Sequence, residues 1–192
     1  EQRLKEQIEK GEQELSYLES VQLSLEQAET EGEITSIREE LMAGGYLARP
    51  RGEKPKKSGH SAPEKPMRFH SSDGFSILVG KNNTQNDLLV TRVGEKQDVW
   101  LHVLGCAGSH VLVQSGGRTV PDRTLEEAAQ LAALFSKASP KEKVPVTYTL
   151  LRNVKKPAGA KPGYVIYFSS QTAYVTPPQG LIERLTEEEA AQ

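Results

Sequence analysis

The sequence predicts an α+β protein, in which an N-terminal helical segment of the coiled-coil type precedes a compact mixed α/β domain. Two observations support this fold class. Apolar residues recur at helical spacing across residues 1–45, whereas short apolar runs separated by Gly-containing turns follow one another across residues 67–178. A single amphipathic segment at 125–138 interrupts these runs. We therefore expect a mainly antiparallel sheet packed against one main helix.

The helical segment, residues 1–45, contains a heptad seam followed by a second short helix that ends at the Gly44–Gly45 pair. Two interpretations fit the seam. It is either a solvated helix that packs on its own domain, or the end of a coiled-coil arm whose partner helix is missing from this fragment. The chain starts in mid-pattern at Glu1, so we expect it to be part of a longer protein. The seam consists of Leu4, Ile8, Gly11, Leu15, Leu18, Gln22 and Leu25, and the second helix carries Ile34, Ile37 and Leu41 on one face.

Charge and composition divide the chain further and exclude several classes of protein. Residues 1–45 hold 12 acidic and 4 basic side chains, residues 46–66 are a predicted basic linker rich in Pro, Gly and Lys, and residues 179–192 are a predicted acidic tail. The single Cys excludes an internal disulfide framework and favours a reducing, cytoplasmic location. No apolar run approaches the roughly 18 residues of a membrane span.

Local patterns set the order of elements in the predicted domain, residues 67–178. Thr124 and Glu127 form a predicted capping box for the helix at 125–138, whose alanine-rich face permits close approach to a sheet. A shorter helix is predicted at 84–93, with Thr84 or Asn83 as its N-cap. Strands are predicted at 68–70, 75–79, 98–103, 110–114, 145–151, 164–168 and 172–176.

The even spacing of His102, Cys106 and His110 raises the question of a metal site or a Cys nucleophile. Structural zinc usually needs four ligands, and no CxxC or second His/Cys pair accompanies these three residues. A nucleophilic Cys needs a nearby base and a lowered pKa, and no motif provides them. We therefore expect no metal, no cofactor and no catalytic residue at this triplet.

The strand at 98–103 is the first of three candidate RNA contacts. Alternation places Asp98, Trp100 and His102 on one face, opposite the aliphatic core face. Two interpretations of Trp100 remain open. Its indole either stacks on RNA bases or lies buried under the helix at 125–138.

Two loops are the other candidates. The amide-rich stretch GKNNTQND supplies Lys81, Asn82, Asn83 and Asn86 near a helix N-terminus, although a turn with a helix cap explains the same residues. The loop VKKPAGAKPG is stiffened by two Pro residues and suits contacts with phosphates, although it is also typical of a solvated loop. Its cations are Lys155, Lys156 and Lys161, with Arg152 beside them.

Four blocks of the sequence resemble, in order, the NFACT RNA-binding domain. They read SSDGFSILVGKNNTQND, DVWLHV…GSHVLV, LEEAAQLAALFSKAS and VPVTYTLLRNVKKPAGAKPGYVIY. The stretches ELSYLES and IREELMAGGYL resemble the end of the coiled-coil arm that precedes this domain in the family, which includes the RqcH, FbpA and NEMF proteins. The chain departs from the common family sequence HAKDIPGSH at 102–110, where HVLGCAGSH lacks the Lys-Asp pair and the Pro.

The resemblance implies a role in ribosome-associated quality control, the rescue of stalled ribosomes. Family members bind the large ribosomal subunit that carries a stalled peptidyl-tRNA and recruit aminoacyl-tRNA, alanyl-tRNA in bacteria, for addition of a C-terminal tail. Peptide bonds form on the ribosome, so the resemblance implies a tRNA- and rRNA-binding module that is not itself an enzyme. It also adds Ser109 and His110 to the candidate RNA-binding residues. The fibronectin-binding label of bacterial relatives motivates the alternative, a surface adhesin module that binds fibronectin.

Overall fold

The computed structural model describes residues 2–48, 65–139 and 142–187 of the 192-residue chain. Two N-terminal helices precede a six-stranded sheet and three further helices in these residues. The α+β class and the mainly antiparallel sheet predicted from the sequence are confirmed.

The two N-terminal helices pack on each other through aromatic and branched side chains. Helix α1 spans Gln2–Glu26 and helix α2 spans Glu31–Ala43. Thr30 caps α2: its hydroxyl accepts the N–H of Glu33 at 3.2 Å, and a Glu33 carboxylate oxygen accepts the N–H of Thr30 at 3.1 Å. The short connection between the helices brings Tyr17 and Val21 of α1 against Ile37 of α2.

The heptad seam of α1 does not form this contact. Its leucine and isoleucine side chains are exposed, for example 62% for Leu4 and 59% for Leu15. Nothing within the described ranges covers the seam, so a partner helix stays a prediction. The buried residues of α1 lie on another face of the helix. That face contacts the domain, which fits the alternative interpretation of a solvated helix that packs on its own domain.

Six strands form one antiparallel sheet in the order β1-β2-β4-β3-β5-β8, and two short strands pair separately. The strands of the large sheet are β1 (Met67–His70), β2 (Ser76–Val79), β3 (Val99–Val103), β4 (Val111–Gln114), β5 (Val144–Leu150) and β8 (Gln171–Val175). The short pair consists of β6 (Val154–Lys155) and β7 (Ile166–Tyr167).

Helix α4, Asp122–Leu134, covers one face of the large sheet. Its buried alanines allow the close approach that the sequence predicts. Helix α5, Leu181–Glu187, joins the same core through Leu181 and Leu185, which are 1% and 0% exposed. This differs from the predicted acidic tail, because two leucines four residues apart give the segment an apolar helical face.

Thr124 and Glu127 do not cap the main helix, so the predicted capping box is wrong. Helix α4 begins three residues earlier than predicted, at Asp122, and both side chains therefore project from within the helix. The Thr124 hydroxyl donates to Asp73 Oδ2 at 2.8 Å. The Glu127 carboxylate accepts the N–H of Ser72 at 2.9 Å and the hydroxyl of Ser72 at 2.5 Å. Both residues thus anchor the turn between β1 and β2 to the helix.

The opposite face of the sheet is covered by short segments. These are helix α3 (Asn83–Leu88), a π-helical turn (Leu89–Val93), a 3-10 turn (Leu151–Asn153) and the β6–β7 pair. Trp100 is buried there among Leu78, Leu89, Leu112 and Leu151. The expectation that the helix at 125–138 buries Trp100 is therefore wrong: alternation directs the neighbouring residues of β3 toward α4 and the indole away from it.

Parts of two predicted segments lie outside the described residues. They are residues 49–64 of the linker, including His60, and residues 188–192 of the tail. Among the helices that the structure describes, none is both long and apolar enough to cross a membrane.

We expect Glu127→Ala to lower the free energy of unfolding by about 1.5–3 kcal/mol, because two donors of Ser72 lose a charged acceptor. Urea denaturation followed by Trp fluorescence measures this loss. Glu126→Ala is the matched control: Glu126 is exposed and accepts only a long 3.5 Å bond from Gln130, so its removal should change stability by less than about 0.5 kcal/mol. Equal effects of the two substitutions would refute the anchoring role of Glu127.

Candidate nucleic-acid interface

The amide-rich stretch 80–87 begins helix α3. Asn82, with an extended backbone, is the N-cap, and its side-chain oxygen accepts the N–H of Gln85 at 2.9 Å. The predicted N-cap, Thr84 or Asn83, is therefore wrong, because the cap lies two or one residues earlier in the chain. The Asn83 amide instead donates to Glu40 of α2 at 3.0 Å. The start of α3 thus lies against the acidic helix α2.

Asn86 joins α3 to strand β4 and requires a glycine beside it. Its side-chain oxygen accepts the backbone N–H of His110 at 3.0 Å, and a Cβ at Gly80 would lie 2.1 Å from that oxygen. Asn82, Asn83 and Asn86 are at most 5% exposed. Their direct contact with RNA stays a prediction that this burial does not favour.

Asp98 and Ser109 are also buried and bonded within the protein. The Asp98 carboxylate accepts the backbone N–H groups of Glu95 and Ser115, each at 2.8 Å, which joins the start of β3 to the end of β4. The backbone N–H of Ser109 donates to the carbonyl of Phe135 at 2.9 Å. Both residues therefore position the strands, and their contact with RNA likewise stays a prediction.

Trp100, His102 and His110 pack ring to ring. The indole is parallel to the His102 ring at a centroid distance of 6.0 Å and perpendicular to the His110 ring at 5.3 Å. Tyr167 contacts the indole from the β6–β7 pair at 5.2 Å. Because Trp100 is only 1% exposed, it does not provide the solvent-facing stacking platform that alternation suggested.

Burial shifts the pKa values of the two imidazoles and of the neighbouring Cys106 thiol. Burial lowers the pKa of His102 and lowers that of His110 well below its ordinary value, so both imidazoles are neutral at pH 7. Burial raises the pKa of the Cys106 thiol, which therefore stays protonated. In the described part of the chain, no three His, Cys, Asp or Glu side chains are grouped so that they could hold a metal ion.

Three predicted phosphate-binding lysines form ion pairs with carboxylates. Lys81 pairs with Glu33 of α2, and Lys156 lies 2.9 Å from Asp87 of α3. Lys161 lies 3.0 Å from Glu14 of α1. The sequence did not predict these partners, although the acidic character of residues 1–45 was a signal for those of Lys81 and Lys161.

Lys161 has the most extensive of these contacts. Its ammonium group lies 5.2 Å from the Tyr17 ring centroid and 4.6 Å from that of Tyr46, and it donates a hydrogen bond to the Tyr46 hydroxyl. The hydrogen bonds with Tyr46 and Glu14 raise the pKa of Lys161, and the bonds with Tyr46 and Lys161 lower the pKa of Glu14. The loop at 155–163 is thereby fastened to the N-terminal helices.

A different set of cations faces solvent. Arg152 and Lys155 are exposed, and the backbone N–H of Arg152 donates to the carbonyl of Lys96 at 3.2 Å. Lys155 extends over the ring of Phe168 at 5.7 Å, and Phe168 itself is 53% exposed. We call Lys96, Arg152, Lys155 and Phe168 the basic–aromatic surface. Within residues 2–48, 65–139 and 142–187, none of its cations forms an ion pair.

A cavity of about 420 Å³ lies between α1 and the packed rings of Trp100, His102 and His110, which we call the ring cluster. Tyr17 and Ser16 of α1 form one wall, and Trp100, His102 and His110 form the opposite wall. The loop that carries Lys161 closes a third side. The contacts that fasten this loop to the helices therefore also shape the cavity.

Comparisons with known proteins assign both parts of the chain. Residues 65–175 match the family model described as the NFACT protein RNA binding domain, and residues 1–60 match that of the NFACT N-terminal and middle domains. The chain is similar to the Rqc2 homolog RqcH of Bacillus subtilis, with 44% identity over 185 residues, and to that of Streptococcus suis, with 40% identity over 179 residues. The alignments cover 95% and 93% of this chain and 31% of each relative, so the chain spans about a third of their length.

A solved structure is similar over nearly the whole chain. It is the C-terminal part of the fibronectin/fibrinogen-binding protein from Streptococcus suis, with a TM-score of 0.85 and 39% identity. The match covers 96% of this chain and 73% of that one. The likeness therefore includes the N-terminal helices as well as the sheet.

The buried imidazoles predict that stability falls as the pH is lowered below about 6.5. Burial makes protonation of His102 and His110 less favourable in the folded chain, whereas the unfolded chain binds a proton at each near pH 6.5, so acidification favours unfolding. Between pH 7.5 and 5.5 we expect a loss of about 1.4 kcal/mol for each His that stays neutral. The Glu14 carboxyl, with its lowered pKa, titrates below this window.

Urea denaturation at several pH values, followed by Trp fluorescence, measures this dependence. The variant His110→Asn should be less dependent on pH over the same window by about 1.4 kcal/mol, whatever its stability at pH 7.5. A pH dependence identical to that of the unaltered chain would show that His110 is protonated in the folded state.

Proposed function

The chain belongs to the NFACT family, and we propose that it is the RNA-binding module of a bacterial factor of ribosome-associated quality control. The match of residues 65–175 to the NFACT protein RNA binding domain is the observation that carries this proposal. The names of the relatives support the ribosomal context. In this proposal the module acts in the cytoplasm on tRNA and rRNA.

The basic–aromatic surface is the part of the module that we assign to RNA. Phosphate binding needs cations that are not already neutralised, and Arg152 and Lys155 meet this condition, whereas Lys81, Lys156 and Lys161 are paired with carboxylates. The exposed ring of Phe168 beside Lys155 offers a face on which a base can stack. Cations beside an exposed aromatic ring are typical of single-stranded RNA sites.

The partners follow from the family. We propose that the whole protein binds the large ribosomal subunit that carries a stalled peptidyl-tRNA, and that it recruits aminoacyl-tRNA, alanyl-tRNA in particular, for C-terminal alanine tailing. The module itself binds and does not catalyse, because the ribosome forms the peptide bonds. The protonated state of Cys106 supports this assignment, since a thiol nucleophile needs a lowered pKa.

An adhesin module that binds fibronectin is the second candidate. The name of the Streptococcus suis protein with the similar structure is the observation that favours it. Pull-down with the purified chain separates the two candidates when fibronectin and large ribosomal subunits are offered in parallel. Binding to fibronectin alone would support the adhesin.

The double variant Arg152→Ala/Lys155→Ala should bind tRNA more weakly and with a smaller dependence on salt. Each phosphate contact contributes about 0.7–0.9 to the slope of log K against log salt, so losing two contacts should reduce its magnitude by roughly 1.4–1.8. Titrations of fluorescent tRNA at several salt concentrations measure the slope.

Lys143→Ala is the matched control for that experiment. Lys143 is an exposed cation that precedes β5, whereas Arg152 follows it, so the two lie roughly 25 Å apart. Its replacement should leave the slope unchanged. A double variant that binds tRNA like the control would exclude the basic–aromatic surface, and a chain that binds no tRNA would exclude the proposed function.

A further inference from the structure

Two side chains that line the cavity between α1 and the ring cluster each have a buried nitrogen with no hydrogen-bond partner among the described residues. The indole nitrogen Nε1 of Trp100 and the imidazole nitrogen Nδ1 of His110 are buried and form no hydrogen bond with any described residue. Both side chains line the cavity, and they are 1% and 3% exposed. Leaving a buried donor unsatisfied is costly, and such groups are rare in native proteins. The pair therefore indicates a ligand whose polar atoms complete these bonds.

The walls specify the chemistry of that ligand. They are lined with rings, those of Trp100, His102, His110, Tyr17 and Tyr167. The imidazoles are neutral at pH 7 because burial lowers their pKa. The cation at the rim, Lys161, is already paired with Glu14. A neutral, planar group with hydrogen-bond acceptors fits these walls, whereas a phosphate would find no free cation there.

The size of the cavity restricts the ligand further. At about 420 Å³ it lies near the lower end of the range for small-molecule sites, so it holds one ring system and not a stretch of nucleic acid. We infer that this cavity receives a single nucleobase, extruded from a bound RNA strand, whose carbonyl oxygen accepts a hydrogen bond from Trp100 Nε1. This inference rests on the proposed RNA-binding function and deepens it.

The position of the cavity agrees with the RNA surface. Tyr167 lines the cavity and packs on Trp100, whereas the next residue, Phe168, is exposed beside Lys155. Consecutive residues of one segment thus form part of the cavity wall and part of the basic–aromatic surface. A strand held by its phosphates at Lys155 has one nucleotide close to the cavity, and extrusion of a base costs least from single-stranded RNA.

The indole proton of Trp100 gives a direct test, because Trp100 is the only Trp in the chain and its side chain yields a single indole ¹H–¹⁵N signal. The ¹⁵N-labelled 192-residue chain is titrated with uridine, cytidine and guanosine, and in parallel with ribose 5-phosphate. We expect the nucleosides to shift the indole signal in a saturable manner, because a base carbonyl bonds its proton. Ribose 5-phosphate, which lacks a base, should leave the signal in place.

A blocking variant and a matched control test the location. Ser16 and Gln7 are both exposed, neutral residues of α1, but only Ser16 lines the cavity. Ser16→Tyr should abolish the nucleoside shift. It should also weaken binding of single-stranded RNA at least about fivefold, which corresponds to the lower end of the range for one stacked base. Gln7→Tyr should change neither.

The outcomes separate this inference from the proposed function. If RNA binds the chain but neither RNA nor nucleosides move the indole signal, the nucleobase cavity is excluded and the RNA-binding module stands. The cavity is likewise excluded if ribose 5-phosphate produces the same shift as the nucleosides. If nucleosides shift the signal and RNA does not bind, the proposed function fails while the cavity remains a nucleobase site.

Discussion

The contact of Lys161 with Glu14, Tyr17 and Tyr46 determines how the two parts of the protein fit together. A single ammonium group joins the loop after β6 to helix α1 and to the residues after α2, and the ion pair and cation–π contacts act at the same point. Two other features depend on this contact. It closes one side of the cavity beside Trp100, and it neutralises an ammonium group that would otherwise be free for phosphate.

The six strands of the large sheet could be predicted from the sequence, because they depend on local patterns, whereas their order within the sheet could not. Alternation in β3 assigns Val99 and Leu101 to the core under α4 and Trp100 to the other face, as the structure has them. The same reasoning fails where one pattern has two physical causes. Thr124 and Glu127 have the spacing of a capping box, but the spacing alone does not distinguish a cap from two side chains that bind a neighbouring turn.

The site was harder to predict, since its contacts join residues far apart in the sequence. The lysines at 81 and 161 were predicted as phosphate ligands from their local surroundings, but their carboxylate partners lie in the N-terminal helices. Charge counts show that the N-terminal helices are acidic and that the lysines lie elsewhere in the chain, but they do not show which side chains meet. The cavity could not be predicted at all, because its walls come from α1, the β3–β4 region and the loop that carries Lys161.

The distribution of paired and free cations also determines how RNA can bind without separating the two parts. RNA that displaced Glu14 from Lys161 would have to break an ion pair and two ring contacts before it gained one phosphate contact. Arg152 and Lys155 have no carboxylate partner in the described structure, so a phosphate would displace only water and counterions there. The proposed RNA binding at the basic–aromatic surface would therefore leave the N-terminal helices in place. The cavity would then keep its walls while a strand is bound, which is the condition that the inferred entry of a base requires.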